Sequence, residues 1–165
     1  MVEIRAATLA DIDYICHLQR IEANREDAIG FIPRVCYENE VERRRNGRLF
    51  IAYENNDRVG FAYTTHSRGV THIQQIAVQD DARRIEVGTA LVAETPTIGD
   101  WLLSLRCREN LPAVAFWENL GFELQGVDKT PTKRRQHVLR FSKIIGGLWL
   151  PDQPRRAGQE AAREE

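Results

Sequence analysis

The sequence predicts an α/β (α+β) fold in which helices flank a mixed, mainly antiparallel central sheet. Two observations carry this prediction: hairpin-forming strands lie early in the chain, and strand and helix patterns alternate later. The 165 residues, 42% hydrophobic and 28% charged, suit one globular domain over residues 1–150. A chain this long buries roughly 70% of its unfolded surface, so it needs no metal or disulfide for stability.

The chain opens with a strand and a helix. Residues 2–5 alternate between apolar and polar side chains, as strands do. Thr8 and Asp11 have capping-box spacing and predict a helix start. The helix that follows has an apolar face formed by Leu9, Ile12, Ile15 and Cys16, with Leu18 at its edge. Residues 22–34 then suit a loop or short helix, and residues 37–45, rich in Glu and Arg, suit an exposed helix.

The remaining elements follow from alternation and from turn residues. Strands at 48–53 and 59–64 flank an Asn-Asn-Asp turn that tolerates the left-handed backbone of a tight hairpin. A strand at 72–78, a polar turn at 79–84 and a helix from about Val87 come next, and the helix must end before Pro96. The last predicted elements are a buried strand at 101–106, a helix at 113–120 between Pro112 and Gly121, and strands at 122–125 and 136–145.

Composition excludes several classes of protein. The three cysteines, Cys16, Cys36 and Cys107, are odd in number and widely spaced, which argues against a zinc site or a disulfide framework and for reduced cytoplasmic thiols. No apolar run reaches the roughly 20 residues of a membrane span, and the N-terminus does not resemble a signal peptide. We therefore expect a cytoplasmic protein with no metal and no membrane contact. Residues 151–165 lack aliphatic and aromatic side chains beyond Ala, which predicts a flexible tail.

A strand, a turn and a helix N-terminus follow one another over residues 76–91. Unpaired backbone N–H groups and the positive end of the helix dipole make such a terminus an anion site. Gly88 would let a ligand approach the backbone, Thr89 adds a hydroxyl, and Arg83 and Arg84 add positive charge. The natural ligand is a pyrophosphate, although arginines before a helix are also common on solvated surfaces.

A second segment lies after the next strand. Asn110, then Ala113, then the aromatic pair Phe116-Trp117, close with Gly121-Phe122. With the earlier Arg-x-x-x-x-Gly segment that begins at Arg83, it resembles the motifs of the GNAT superfamily of acetyl-CoA-dependent N-acetyltransferases. The element order is similar to this family from residue 2 to residue 145, nearly the whole chain.

The resemblance implies a site for acetyl-CoA. The amides of residues 84–89 would cradle the pyrophosphate, and the edge of the strand at residues 76–78 would bind the pantetheine arm. The N–H near Ile76 would stabilise the oxyanion formed when an amine attacks the thioester. Asn110 would contact the arm, and Phe116 would line the thioester pocket with Trp117. The implied cofactor-binding residues are Ile76, Ala77, Val78, Arg83, Arg84, Ile85, Glu86, Val87, Gly88, Thr89, Asn110 and Phe116.

Two positions depart from the family pattern. Glu86 stands where the family has the first glycine of the cradle, and a carboxylate there either repels the pyrophosphate or points outward into solvent. Trp117 stands where the family often has a tyrosine that protonates the leaving thiolate. An indole N–H does not transfer its proton, so Trp117 either packs in the pocket or marks a weakened catalyst.

His72 is the predicted general base. It matches the strand position at which the histone-acetylating branch of the family carries a glutamate, and histidine changes charge near neutral pH. The alternative is an exposed histidine at a strand start. Gln74, two residues on, would hold a water. Acidic residues in the expected acceptor wall contribute a base, bind a cationic acceptor or are ordinary surface charge: Glu22, Glu26, Asp27 and Glu40.

The formal net charge of −1 conceals an asymmetry. Residues 129–143 carry six Lys and Arg side chains and no acidic one. This basic hairpin would steer an anionic acceptor or partner, or it defends an edge strand by charge.

The sequence thus predicts an N-acetyltransferase that acts on a small-molecule or peptide amine. Two alternatives stay open: an acyl-CoA-binding module with weak or no catalysis, and an acetylase of a nucleic-acid-borne amine such as aminoacyl-tRNA. A homodimer is a further expectation, because dimers are common in the family.

Overall fold

The computed structural model describes residues 1–24, 31–43, 47–80, 84–97, 99–109, 112–128 and 137–146. The strands are β1 (Val2–Ala6), β2 (Gly47–Glu54), β3 (Asp57–Ser67), β4 (Val70–Val78), β5 (Leu102–Arg108), β6 (Glu123–Val127) and β7 (Val138–Ile144). The helices are α1 (Ile12–Asn24), α2 (Arg34–Arg43), α3 (Arg84–Glu94) and α4 (Ala113–Asn119), and a short 3₁₀ turn, Leu9–Asp11, precedes α1. The predicted order of elements is confirmed.

The seven strands form one sheet in the order β1-β2-β3-β4-β5-β7-β6. β4 and β5 run parallel, and the other neighbouring strands described are antiparallel. A mixed, mainly antiparallel sheet flanked by helices is therefore confirmed. Among the described residues, no helix is long and apolar enough to cross a membrane.

The sheet separates two hydrophobic layers, because strand side chains alternate between its faces. On one face, α1 and α2 pack on β2, β3 and β4, with Ile12, Ile15 and Phe61 fully buried. On the other face, α3 covers β2 to β4, and α4 packs against β5 with Trp117 in its core. The helices thus leave the α1–α2 side of β5, β7 and β6 less covered than the side that α4 packs against.

Two local predictions are confirmed at backbone level. The Thr8 N–H donates to Asp11 Oδ2 at 2.8 Å, as a capping box requires. The β2–β3 hairpin turns at Asn55 and Asn56, whose φ angles of 51° and 65° are left-handed.

The structure refines or corrects the expected local structure at four places. Leu9 is 53% exposed, because it lies in the 3₁₀ turn and not on the apolar face of α1. α1 continues to Asn24, so the first residues of the segment expected to be a loop or short helix belong to α1. Tyr37 is completely buried, although its neighbours in α2 are charged. α3 begins at Arg84, nearly one turn before the first apolar residue that predicted it.

Candidate active site

β4 and β5 part in the middle of the sheet. Their ladder runs from Val70↔Leu102 to Ile73↔Leu105, and both strands then continue, to Val78 and Arg108. Within the described chain, no ladder pair joins them beyond Ile73. A split therefore opens between two interior strands, and the N-terminus of α3 follows β4 at its end.

The backbone of β4 presents polar groups to this split. The Gln79 N–H donates to the Val59 carbonyl on β3 at 2.8 Å. In an antiparallel ladder, residues that bond the neighbouring strand alternate with residues that point away from it. By this alternation, the N–H and C=O groups of Ile76 and Val78 point away from β3, toward the split. The side chain of Ala77 instead packs in the core under α1 and α2.

A bulge sets the direction of the side chains beside the split. Tyr63 pairs with Gln75 and Thr64 pairs with Ile73, so Gln74 is an extra residue on β4. The exposed Gln74 side chain donates through Nε2 to Thr65 Oγ1 at 2.8 Å.

His72 lies at the closed end of the split. Its Nδ1 is 2.6 Å from the hydroxyl of Ser104, its partner across β4 and β5, and its Nε2 is 3.4 Å from the hydroxyl of Ser67. A serine hydroxyl can accept a hydrogen bond from an imidazole N–H or donate one to a bare nitrogen, so these contacts fit either neutral tautomer. If Nδ1 donates to Ser104, Nε2 keeps its lone pair and meets only the long contact to Ser67, so Nε2 is the nitrogen able to accept a proton.

The first turn of α3 provides the candidate anion site. Because the helix begins at Arg84, its first-turn N–H groups lack intrahelical acceptors, whereas the amides of Gly88 and Thr89 lie inside the hydrogen-bond ladder. The Thr89 hydroxyl donates to the Ile85 carbonyl at 2.8 Å. Glu86 is exposed, as is Ile85. Arg83 and Asn110, two predicted ligands of the cofactor, lie outside the described residues.

Gly88 has a packing function that the sequence did not indicate. It is buried, and a Cβ built there would lie 3.1 Å from Cζ of Phe116 on α4. The absence of a side chain thus lets α4 bring the Phe116 ring against α3.

Trp117 belongs to the hydrophobic core. It is 4% exposed and makes edge-to-face contacts with Phe116 and Phe122 at centroid distances of 4.9 and 5.2 Å. On the same face of the sheet, burial raises the pKa of the Cys107 thiol to about 11, so this thiol is neutral at physiological pH.

A buried polar network underlies the opposite face of the split. The Tyr37 hydroxyl contacts the side-chain oxygens of Gln19, at 2.7 Å, and of Gln75. Gln19 also clamps Ile32, accepting from its N–H and donating to its carbonyl, both at 2.9 Å. Gln75 directly precedes Ile76, so the network links the residues before α2 to the strand beside the split. Sequence reasoning missed it, because three polar residues far apart in sequence give no local signal.

The acidic residues of the expected acceptor wall have different environments. Glu22 is buried, and Glu40 Oε1 lies 3.4 Å from the Tyr63 hydroxyl. Glu26 and Asp27 lie outside the described residues. In the part of the chain that the structure describes, no group of three His, Cys, Asp or Glu side chains is arranged to hold a metal ion.

Comparisons with known proteins bear on this arrangement. Residues 45–124 match the family model of the acetyltransferase (GNAT) domain. No curated protein matches the sequence significantly.

Three solved structures share the fold at low sequence identity. The ribosomal-protein-S18-alanine N-acetyltransferase of Escherichia coli is 22% identical, with a TM-score of 0.69 over 91% of this chain and 99% of its own. The ribosomal-protein-alanine N-acetyltransferase of Brucella melitensis is 20% identical, with a TM-score of 0.71 over 87% and 99%. Ard1 of Thermoplasma volcanium is 18% identical, with a TM-score of 0.72 over 88% and 98%.

Proposed function

We propose, from the premise that this chain is an acetyltransferase with the GNAT domain and fold, that it transfers an acetyl group from acetyl-CoA to a primary amine. The observation that carries the proposal is the split between β4 and β5, which ends beside the N-terminus of α3. Proteins of this family generally use acetyl-CoA, and the split offers the two features that this ligand needs. One is an unpaired strand edge for its amide-containing arm, and the other is a helix N-terminus for its pyrophosphate.

The backbone holds the cosubstrate. The outward-facing N–H and C=O groups of Ile76 and Val78 bond the pantetheine arm as a neighbouring strand would, and the first-turn amides of α3 bind the pyrophosphate. Exposure of Glu86 supports a carboxylate that stays in solvent while its backbone contributes to the cradle. Phe116 lines the pocket from α4, with the Trp117 ring behind it.

The chemistry supplied by acetyl-CoA is an acetyl thioester. The amine nitrogen forms a bond to the carbonyl carbon, the C–S bond breaks with its electron pair on sulfur, and one proton leaves the nitrogen. The Ile76 N–H donates to the carbonyl oxygen as negative charge develops there.

His72 accepts the proton of the acceptor ammonium through Nε2, directly or through a water held by Gln74. In the proposed tautomer Nδ1–H donates to the Ser104 hydroxyl, which leaves the Nε2 lone pair available. Trp117 is buried in the core and supplies no proton. The proton that leaves the nitrogen during attack therefore passes through water to the leaving thiolate, and His72 returns the ammonium proton to solvent.

The acceptor is an amine of a small molecule or a peptide. N-terminal amines of proteins are a natural class to test, because two of the similar structures are named as acetyltransferases of a ribosomal-protein alanine. Two cations of the basic hairpin at 129–143 have partners among the described residues. Arg140 pairs with Asp128 at 3.3 Å and Lys143 donates to the Leu120 carbonyl at 2.7 Å, while residues 129–136 lie outside the described chain. Cytoplasmic location, a homodimer and an anionic partner at this hairpin stay predictions.

Thermal unfolding with acetyl-CoA or CoA tests the proposed site first. A ligand at about 100 times its dissociation constant stabilises the folded state by about 2.7 kcal/mol, so both should raise the melting temperature. Absence of a shift with either would reject the proposal. Thiol release with a panel of polyamines, amino acids, peptides and aminoacyl-tRNA then distinguishes an enzyme from a binding module, since a module shows the shift without release.

A further inference from the structure

Two arginines face each other across β5 and β7. Arg106 and Arg140 are direct partners in the antiparallel ladder, so their side chains leave the sheet on the same face. Leu105 and Cys107, the neighbours of Arg106, are buried in the core under α4. Arg106 therefore points to the opposite face, the face on which Ser104 contacts His72.

The two guanidinium groups have different environments. Arg140 extends over Gly126 on β6 and pairs with Asp128 at 3.3 Å. Arg106 is exposed, and within the described residues its guanidinium has no hydrogen bond and no ion pair. Like charges directly opposite one another in a sheet are destabilising. An anion bound at Arg106 would relieve that repulsion and supply the missing partner.

Arg106 lies beside the split. It is the first residue of β5 after Leu105, the last to pair with β4. Along the strand it is about 7 Å beyond Ser104, in the direction in which the two strands part. A group a few bonds from an amine held near His72 would therefore reach the guanidinium.

We propose that Arg106 binds a carboxylate of the acceptor, so that the preferred acceptors are amines with a carboxylate a few atoms from the reacting nitrogen. This inference rests on the proposed acetyl transfer. A single guanidinium with no partner among the described residues matches one planar carboxylate, which it can bind through two parallel hydrogen bonds. A free amino acid and a peptide with an acidic residue next to its N-terminus both present this chemistry.

Equilibrium binding to two C-terminally amidated peptides tests the anion site without requiring turnover. The peptides carry a fluorescent label at the C-terminus and differ only in Glu or Gln at position two. Wild type should bind the Glu peptide about five- to tenfold more tightly, and this preference should weaken as salt is added. The Arg106→Gln variant should lose the preference, and Arg106→Lys should keep part of it. The control is Arg20→Gln, which makes the same charge change on the exposed side of α1 and should keep the whole preference.

An equal affinity of wild type for both peptides, or a preference that survives in Arg106→Gln, would overturn the proposal. Free glutamate and free glutamine are then added as competitors of the labelled Glu peptide. Their effect shows whether the site takes the carboxylate of a free amino acid or that of a peptide side chain. Acetylation of the same peptides is measured apart: turnover without a Glu preference refutes the Arg106 site alone. A Glu preference without any turnover leaves the site standing and refutes the proposed transferase activity on peptides.

Discussion

His72 and Ser104 are the side chains on which the proposed proton transfer depends. They lie at the closed end of the split, joined at 2.6 Å, and Ser104 orients the imidazole through Nδ1. When Nδ1 carries the proton and donates to Ser104, Nε2 is the basic atom, and the proposed proton transfer uses this tautomer.

Replacing His72 by Ala should lower kcat by about 100-fold or more, because a positioned general base contributes about that much. The dissociation constant of acetyl-CoA should change little, since in the proposed site the backbone of β4 and α3, not His72, binds that ligand. Steady-state kinetics measures kcat, and isothermal titration calorimetry measures the dissociation constant. His17→Ala, an exposed histidine on α1, is the matched control, and a kcat unchanged in His72→Ala would remove His72 from the mechanism.

The buried hydroxyl of Tyr37 joins α2 to both Gln19 and the β4 residue Gln75. Burial also raises its pKa far above the ordinary range, so the hydroxyl stays protonated and able to donate. Tyr37→Phe should reduce the free energy of unfolding by about 1–3 kcal/mol, because two buried amide groups lose a partner.

Urea denaturation measures this loss, with Tyr63→Phe as the control. Among the described residues the Tyr63 hydroxyl has one hydrogen bond, a long one of 3.4 Å to Glu40, so its removal should cost less. A larger loss in Tyr63→Phe than in Tyr37→Phe would show that the network does not hold α2 to the sheet.

At the scale of elements, α3 and α4 approach closely because Gly88 has no side chain. An alanine in a helix interior is intrinsically up to about 1 kcal/mol better than glycine, but its Cβ here would lie 3.1 Å from the Phe116 ring. Gly88→Ala should therefore destabilise the wild-type background and stabilise a Phe116→Ala background. Urea denaturation of wild type, the two single variants and the double variant completes a double-mutant cycle. The coupling energy between positions 88 and 116 is expected at about 1 kcal/mol. Equal effects of Gly88→Ala in both backgrounds would mean that the ring yields freely.

The sequence predicted which helices and strands are present more accurately than it predicted where they end or which residues they contact. Alternation and the Asn55-Asn56 turn located the strands, because those signals are local. Tyr37 was assigned to an exposed helix, since its charged neighbours hid a single inward-facing residue. The pairing of Ser104 with His72, and of Arg106 with Arg140, depends on register between strands that are distant in sequence. Alternation within residues 102–106 would have placed Ser104 and Arg106 on one face, but it could not have identified their partners.

On the scale of the whole molecule, Asp11 links the start of α1 to two strands. Its Oδ1 accepts from the Tyr53 hydroxyl at 2.9 Å and from Arg58 Nε at 2.7 Å, and its Oδ2 accepts from the Thr8 N–H. Burial alone would raise the pKa of this carboxyl, but the hydrogen bonds from Thr8, Arg58 and Tyr53 outweigh burial and lower the pKa below its ordinary value of 3.8.

Because the pKa of Asp11 is lower in the folded state than in the unfolded state, part of the free energy of unfolding depends on pH. The contribution of the Asp11 carboxylate is fully present above pH 3.8 and is lost as the pH falls through the lower folded-state pKa. Asp11→Asn should be less stable than wild type at pH 7, and the difference should shrink below about pH 4. Urea midpoints measured from pH 7 to pH 3 test this, and a constant difference across that range would contradict it.

The parting of β4 and β5 gives an interior strand one bonded edge and one open edge, and amide hydrogen exchange is sensitive to that difference. Gln75 and Ala77 bond β3, so their amides should be protected, whereas those of Ile76 and Val78 should exchange rapidly despite their central position. Adding acetyl-CoA should slow exchange at Ile76 and Val78 in particular. Such a result would mean that the bound cosubstrate protects the open edge of β4 as a neighbouring strand would, and that this protection is lost when the cosubstrate leaves.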